Sequence, residues 1–157
     1  MKEVIRYTVL ILLLSLVGPA GVCHAITATL DSSSWTEYVS TDDLQSGAGS
    51  DVTADYWSLI FNMDITGTLG NWQVDVSRSD TDWNTDITIS TRRLSDGTGS
   101  GTIAGGTSWL AVSTGNYFFN GSQDRTGINL RLTVANISLL LGAHFYTTTI
   151  IYTVYDN

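Results

Sequence analysis

The fold class of this chain is set by Phe145-Tyr-Thr-Thr-Thr-Ile-Ile-Tyr-Thr-Val-Tyr155. Tyr146, Thr148, Ile150, Tyr152 and Val154 take the even positions, and threonine dominates the odd ones. Side chains alternate across a strand with a period of two, so one face is largely apolar and the other hydroxylated. β-Branched and aromatic residues suit such a half-buried ribbon. The pattern predicts a strand with neighbours on both edges and a second layer beneath it.

The same period recurs upstream. Ile128, Leu130, Leu132 and Val134 alternate with Asn129, Arg131 and Thr133. Trp57, Leu59, Phe61, Met63 and Ile65 fall on one face, opposite Ser58, Asn62 and Asp64, and Trp57 and Trp72 are in phase with a core. Trp72, Val74 and Val76, then Ile87 and Ile89, read as the two arms of a long hairpin. Ile26, Ala28 and Leu30 form a first strand, and Trp35 to Val39 is a candidate second. Trp109–Val112 and Tyr117–Phe119 are short strands about a turn at Thr114-Gly115-Asn116. Thr41–Ala54, Ser79–Thr85, Ser95–Ser108, Asn120–Gly127 and Asn136–His144 read as polar connections. No heptad and no capped helical pattern interrupts them. Regularly spaced short strands of this kind predict an all-β fold, a single immunoglobulin-like antiparallel β-sandwich of about eight or nine strands.

Residues 1–25 have the layout of a secretory signal peptide. Lys2 and Arg6 give a short positive start, Val4 to Val17 form an apolar run, Gly18 and Pro19 break it, and Cys23-His24-Ala25 sets small residues at a cleavage site. The run is shorter than the roughly 20 residues that span a bilayer. Residues 26–157 then form one domain of ordinary size, secreted or at the cell surface. That part has no cysteine, so disulfides and thiolate metal sites are excluded. It holds five arginines against thirteen aspartates and Glu37, and the whole chain carries a formal net charge of −8. Such a surface repels nucleic acid and anionic lipid, and favours solubility, divalent cations or basic partners.

The sharpest polar cluster is Asp80-Thr-Asp82-Trp-Asn84-Thr-Asp86. Alternating oxygen ligands Asp80, Asp82, Asn84 and Asp86 are how a loop wraps Ca²⁺. The full loop pattern asks for glycine and glutamate where this chain has Thr85 and Thr91. In an extended segment the same side chains form the wet face of a hairpin. Trp83, with only polar neighbours, is the candidate exposed platform for stacking a sugar ring. The glycine-rich run from Asp96 to Gly106 precedes a strand-like segment instead of a helix, so it reads as a hairpin loop and not a phosphate loop. His144 is the only histidine after His24, which excludes multi-histidine zinc sites. No Gly-x-Ser-x-Gly elbow is present. A carboxylate pair for glycoside hydrolysis is not singled out by spacing. The expectation is a non-catalytic protein.

Gly70-Asn-Trp72-Gln-Val74-Asp-Val76-Ser77 resembles the tryptophan-bearing strand of bacterial WxL-type cell-surface domains. Ile128–Val134 followed by Tyr146–Val154 resembles their closing pair of strands, with Tyr152-Thr-Val154 standing where the family has its second tryptophan-x-leucine. The resemblance implies an extracellular β-rich module associated with the cell wall. The strand–turn–tyrosine-strand ending is also similar to fimbrial and spore-coat subunits. Two functions are expected from these readings. One is a structural or adhesive surface protein, assembled into a filament or coat through the strand Ile26–Leu30 pairing with a neighbour. The alternative is a carbohydrate- or cell-wall-polymer-binding module, Ca²⁺-assisted, with Trp83 and the Asp80–Asp86 loop at its site.

Overall fold

The computed structural model describes residues 25–32, 34–45, 52, 55–58, 60–138, 141 and 144–157. The signal-peptide reading of residues 1–25 falls, apart from Ala25, outside the described residues. Among the described residues ten strands follow in order: β1 Thr27–Leu30, β2 Tyr56–Trp57, β3 Phe61–Thr66, β4 Asn71–Asp82, β5 Thr88–Arg93, β6 Ile103–Gly105, β7 Leu110–Ala111, β8 Asn116–Ser122, β9 Arg125–Ala135 and β10 Thr147–Asp156. One 3-10 turn, Thr41–Asp43, precedes β2 and is closed by a capping box in which Asp43 accepts from the Ser40 amide. Trp35 to Val39 is not a strand.

The protein is all-β, built as two antiparallel sheets. One runs β1-β3-β9-β5-β7, with β2 continuing the β3 edge along β9; the other runs β10-β4-β8-β6. From β3 onward every successive strand changes sheet. β3 pairs with β9, β4 with β8 and β5 with β7, all antiparallel. One long ribbon, turning near β6, is thus wound around the core so that its segments fall alternately in the two layers.

This winding corrects the expectation of a long hairpin. Trp72–Ser77 and Asp86–Thr91 are not arms of one hairpin, because β4 and β5 lie in opposite sheets. The last two strands, β9 and β10, do not pair. An immunoglobulin order would keep such consecutive strands in one sheet. Alternation fixes which face of a strand is apolar, but two strands with matching faces pack equally well side by side or across the core.

The interior is Phe61, Met63, Ile65, Trp72, Val74, Val76, Ile89, Val112, Phe118, Phe119, Ile128 and Leu130. Two bulges change what the period-two reading gives. Phe118 is an extra residue between the pairs Val74↔Phe119 and Asp75↔Tyr117, so two successive phenylalanines are both buried. Trp57 pairs with Thr133 and Phe61 with Leu130, four steps on one strand against three on the other. The extra residue flips the phase, and Trp57, expected in the core, is 52% exposed.

The glycine-rich run crosses from one sheet to the other beside the returning segment 122–126. Thr98 and Thr126 exchange backbone hydrogen bonds of 2.7 and 2.9 Å, and the Ser122 amide donates to Thr102 O at 2.9 Å. Two buried arginines fasten this crossing. Arg93 Nε donates to Gly105 O at 2.9 Å and its Nη1 binds Asp96; Arg125 Nη1 donates to Asp96 O at 2.9 Å and its Nη2 to Gly101 O.

The layers are also joined by one hydroxyl pair. Thr91 Oγ1 on β5 lies 2.8 Å from Tyr152 Oη on β10, and Thr91 is fully buried. Burial pushes the Tyr152 phenol well above the usual tyrosine range, with the Thr91 hydrogen bond acting weakly the other way. Tyr56 moves in the same direction, up to about 12, through burial and then the Asp43 carboxylate. A phenol that holds its proton more tightly when folded stabilises fully below its unfolded value of about 10, and that contribution is lost as pH rises toward the folded value. Tyr152→Phe is expected to cost about 1 kcal/mol at neutral pH. It should also flatten, without abolishing, the fall in stability above about pH 10, as measured by denaturant melts across that range.

Candidate functional site

Asp80 and Asp82 belong to β4, not to a loop, while Trp83, Asn84 and Asp86 lie in the connection to β5. Their side chains go to separate partners. Asp80 Oδ1 accepts from Arg78 Nε at 2.9 Å and from Thr148 Oγ1 at 2.6 Å. Asp82 Oδ2 lies 2.8 Å from His144 Nε2. Asn84 Oδ1 accepts from the Asp86 amide at 2.8 Å, an Asx turn that reverses the chain before β5. Among the described residues no three histidine, cysteine, aspartate or glutamate side chains come together as a metal-binding group. The first two of the candidate Ca²⁺ ligands thus sit at the end of a long strand paired to β10, and the other two in the turn that follows.

Trp83 is not an exposed platform. It is half-buried against the core, its Nε1 donates to Ile87 O at 3.1 Å, and the Arg78 guanidinium lies 5.4 Å from the ring centroid. Its polar sequence neighbours belong to a turn that folds the indole inward. His144 is about half exposed and closes the approach to β10 through Asp82, its ring 4.9 Å from that of Tyr146.

Two surfaces not singled out from sequence emerge instead. On the outer face of the six-stranded sheet, Trp57 of β2 and Trp109, just before β7, place their ring centroids 6.2 Å apart at 51°. Arg131 of β9 stands directly opposite Arg92 of β5. Arg92 Cζ lies 4.5 Å over the Trp109 ring, and Arg131 Cζ 5.4 Å over the Trp57 ring. Alternation along β5 and β9 already put both arginines on the outward face. Their adjacency needed the β5–β9 register, and the two tryptophans needed the bulge before β3.

The second surface is an edge. Among the described residues β10 pairs only with β4, so the strand expected to have two neighbours has one. The Asn157 amide donates to Asn71 O at 2.9 Å, and the ladder continues as Tyr155↔Gln73, Thr153↔Asp75 and Ile151↔Ser77. In an antiparallel ladder, bonded residues alternate. The odd-numbered residues therefore bond β4, and the amides and carbonyls of Ile150, Tyr152 and Val154 point to the open side. Edges β1, β6 and β7 are four, three and two residues long, against ten for β10.

No protein-family model, curated protein or solved structure matches this chain. The functional reading therefore rests on these two surfaces. Among the described residues no helix is long and apolar enough to cross a membrane.

Proposed function

We propose that this chain is a secreted or cell-surface, non-catalytic β-sandwich with a structural or adhesive role, assembling through the open edge of β10. The ten-residue length of that edge carries the reading. Unpaired N–H and C=O groups in a row are a template for another strand. Long edges are commonly blunted by lysine or proline, and residues 26–157 contain neither. Ile151 and Tyr155, each about 42–43% exposed, add apolar area on the adjoining outer face.

The assembly route differs from the one first expected. Thr27–Leu30 pairs with Thr66–Met63 of its own chain on one side, and at four residues its outer side is a shorter template than the ten-residue β10. Antiparallel pairing of β10 with β10 of a second copy would be self-complementary, the commonest kind of homo-oligomer contact. The nested pairing of the wound ribbon favours a jelly-roll-like sandwich over an immunoglobulin-like one. Kinship to WxL-type or fimbrial surface domains is part of the same proposal. It draws support from the all-β fold alone.

Sedimentation and backbone amide exchange test the proposal together. The expected result is concentration-dependent association, with the amides of Ile150, Tyr152 and Val154 slowing as association proceeds. Val154→Pro removes one outward N–H while leaving the bonds to β4, a position where an edge strand tolerates proline, and should abolish association. A monomer at high concentration whose three amides exchange freely would contradict it. The second reading, a carbohydrate- or wall-polymer-binding module, is favoured by the tryptophan–arginine face and not by Trp83.

A further inference from the structure

We infer that the outer face of the six-stranded sheet is a binding site for a carboxylate-bearing sugar, with Arg92 and Arg131 taking the carboxylate and Trp57 the ring. Like charges directly opposite each other across a ladder destabilise it, yet Arg92 and Arg131 face one another on the two central strands. Among the described residues neither guanidinium has a hydrogen bond or an ion pair, and the Nε of each is buried without a partner. Arg78 and Arg93, by contrast, each pair with an aspartate, and Arg125 binds two carbonyls. In a chain with a net charge of −8, two adjacent cations left without carboxylates are a positive spot in a negative surround. One anion bridging both forks would relieve the repulsion and satisfy the donors.

The neighbours narrow the anion to a sugar acid. Each guanidinium lies over one of two aromatic rings, and Trp57 remains 52% exposed, leaving ring surface against which a flat apolar face can stack. The acidic remainder of the surface opposes a long polyanion such as nucleic acid or an anionic bilayer. A short acidic glycan segment meets the local charge without that penalty. This site is independent of the β10 edge, so either proposal can fail alone.

Isothermal titration of the full chain with an oligogalacturonate tests the inference, with its fully methyl-esterified form and an oligoglutamate as comparisons. Saturable binding of the oligogalacturonate is expected. It should weaken at least about tenfold on methyl esterification and in Arg131→Gln, the loss expected when a charged hydrogen bond is removed. Trp57→Ala should weaken it as well, whereas Trp83→Ala should not. Arg92→Gln should leave the unliganded melting midpoint unchanged or raised, because it removes a like-charge opposition and not a bond. Absence of binding by the unmodified chain overturns the inference. Equal binding of the ester, or equal binding by Arg131→Gln, does the same. Equal affinity for oligoglutamate would reassign the face to an acidic protein partner.

Discussion

Trp72→Ala is expected to cost about 3–5 kcal/mol, the range for deleting a large aromatic side chain from a packed core. Trp72 is fully buried on β4, its ring edge-on to Phe119 with centroids 6.0 Å apart. It also ties the interior to a sheet crossing, since Nε1 donates to Gln123 O at 2.8 Å in the two-residue link between β8 and β9. Removing the indole orphans that carbonyl as well as opening a cavity, which adds about 1 kcal/mol. Against a net stability of about 5–15 kcal/mol, the variant should sit near unfolding at room temperature. Trp72→Phe separates the two contributions, because it restores much of the packing and none of the hydrogen bond. Equilibrium denaturation checks both, and a loss below about 1.5 kcal/mol for alanine would mean that the ring does not pack as described.

Gly101→Ala should be comparably damaging, though it adds only a methyl group. A Cβ there would lie 1.8 Å from Ser122 O, which is backbone and has no rotamer to yield. The same holds at Gly99, 2.4 Å from Asp124 O, and at Gly97, 2.4 Å from Thr126 O. Three glycines at every second position let one crossing leg of the ribbon lie flush against the other. Forcing them apart strains the Arg125 bonds to Asp96 O and Gly101 O. Overpacking of this kind costs about 3 kcal/mol or somewhat more. Gly70→Ala is the control: nothing lies within 4 Å of its added Cβ, so its stability should stay within about 0.5 kcal/mol of the parent. Similar melts for the two variants would remove the close crossing from the account of the fold.

The crossing also explains why a glycine-rich run in an acidic β-protein need not signal a ligand. Asp96 to Gly106 binds its own chain's arginines through the carbonyl oxygens of Asp96, Gly101 and Gly105, and its Thr98 and Thr102 amides bond Thr126 O and Ser122 Oγ. The candidate binding groups lie elsewhere, on the sheet face where, among the described residues, Arg92 and Arg131 have no hydrogen-bond or ion-pair partner.

The longer strands and most of their inward faces were legible from residue order alone. Ile128, Leu130, Ile150, Tyr152 and Val154 face the core as their period requires, because solvent on one side and a second layer on the other impose the alternation locally. Export, wall association and assembly are expectations from motif layout and resemblance, and they remain proposals. Sheet membership was not legible, since a strand's pattern is the same whether its partner lies beside it or across the core. Trp57 and Trp83 exchanged their expected places for related reasons: one inserted residue reverses a strand's phase, and one turn can bury an indole among polar neighbours. The Arg92–Arg131 pair and the unpaired side of β10 likewise exist only once distant segments are registered against each other. A one-dimensional pattern encodes which way a side chain faces; only the packed ribbon determines what it faces.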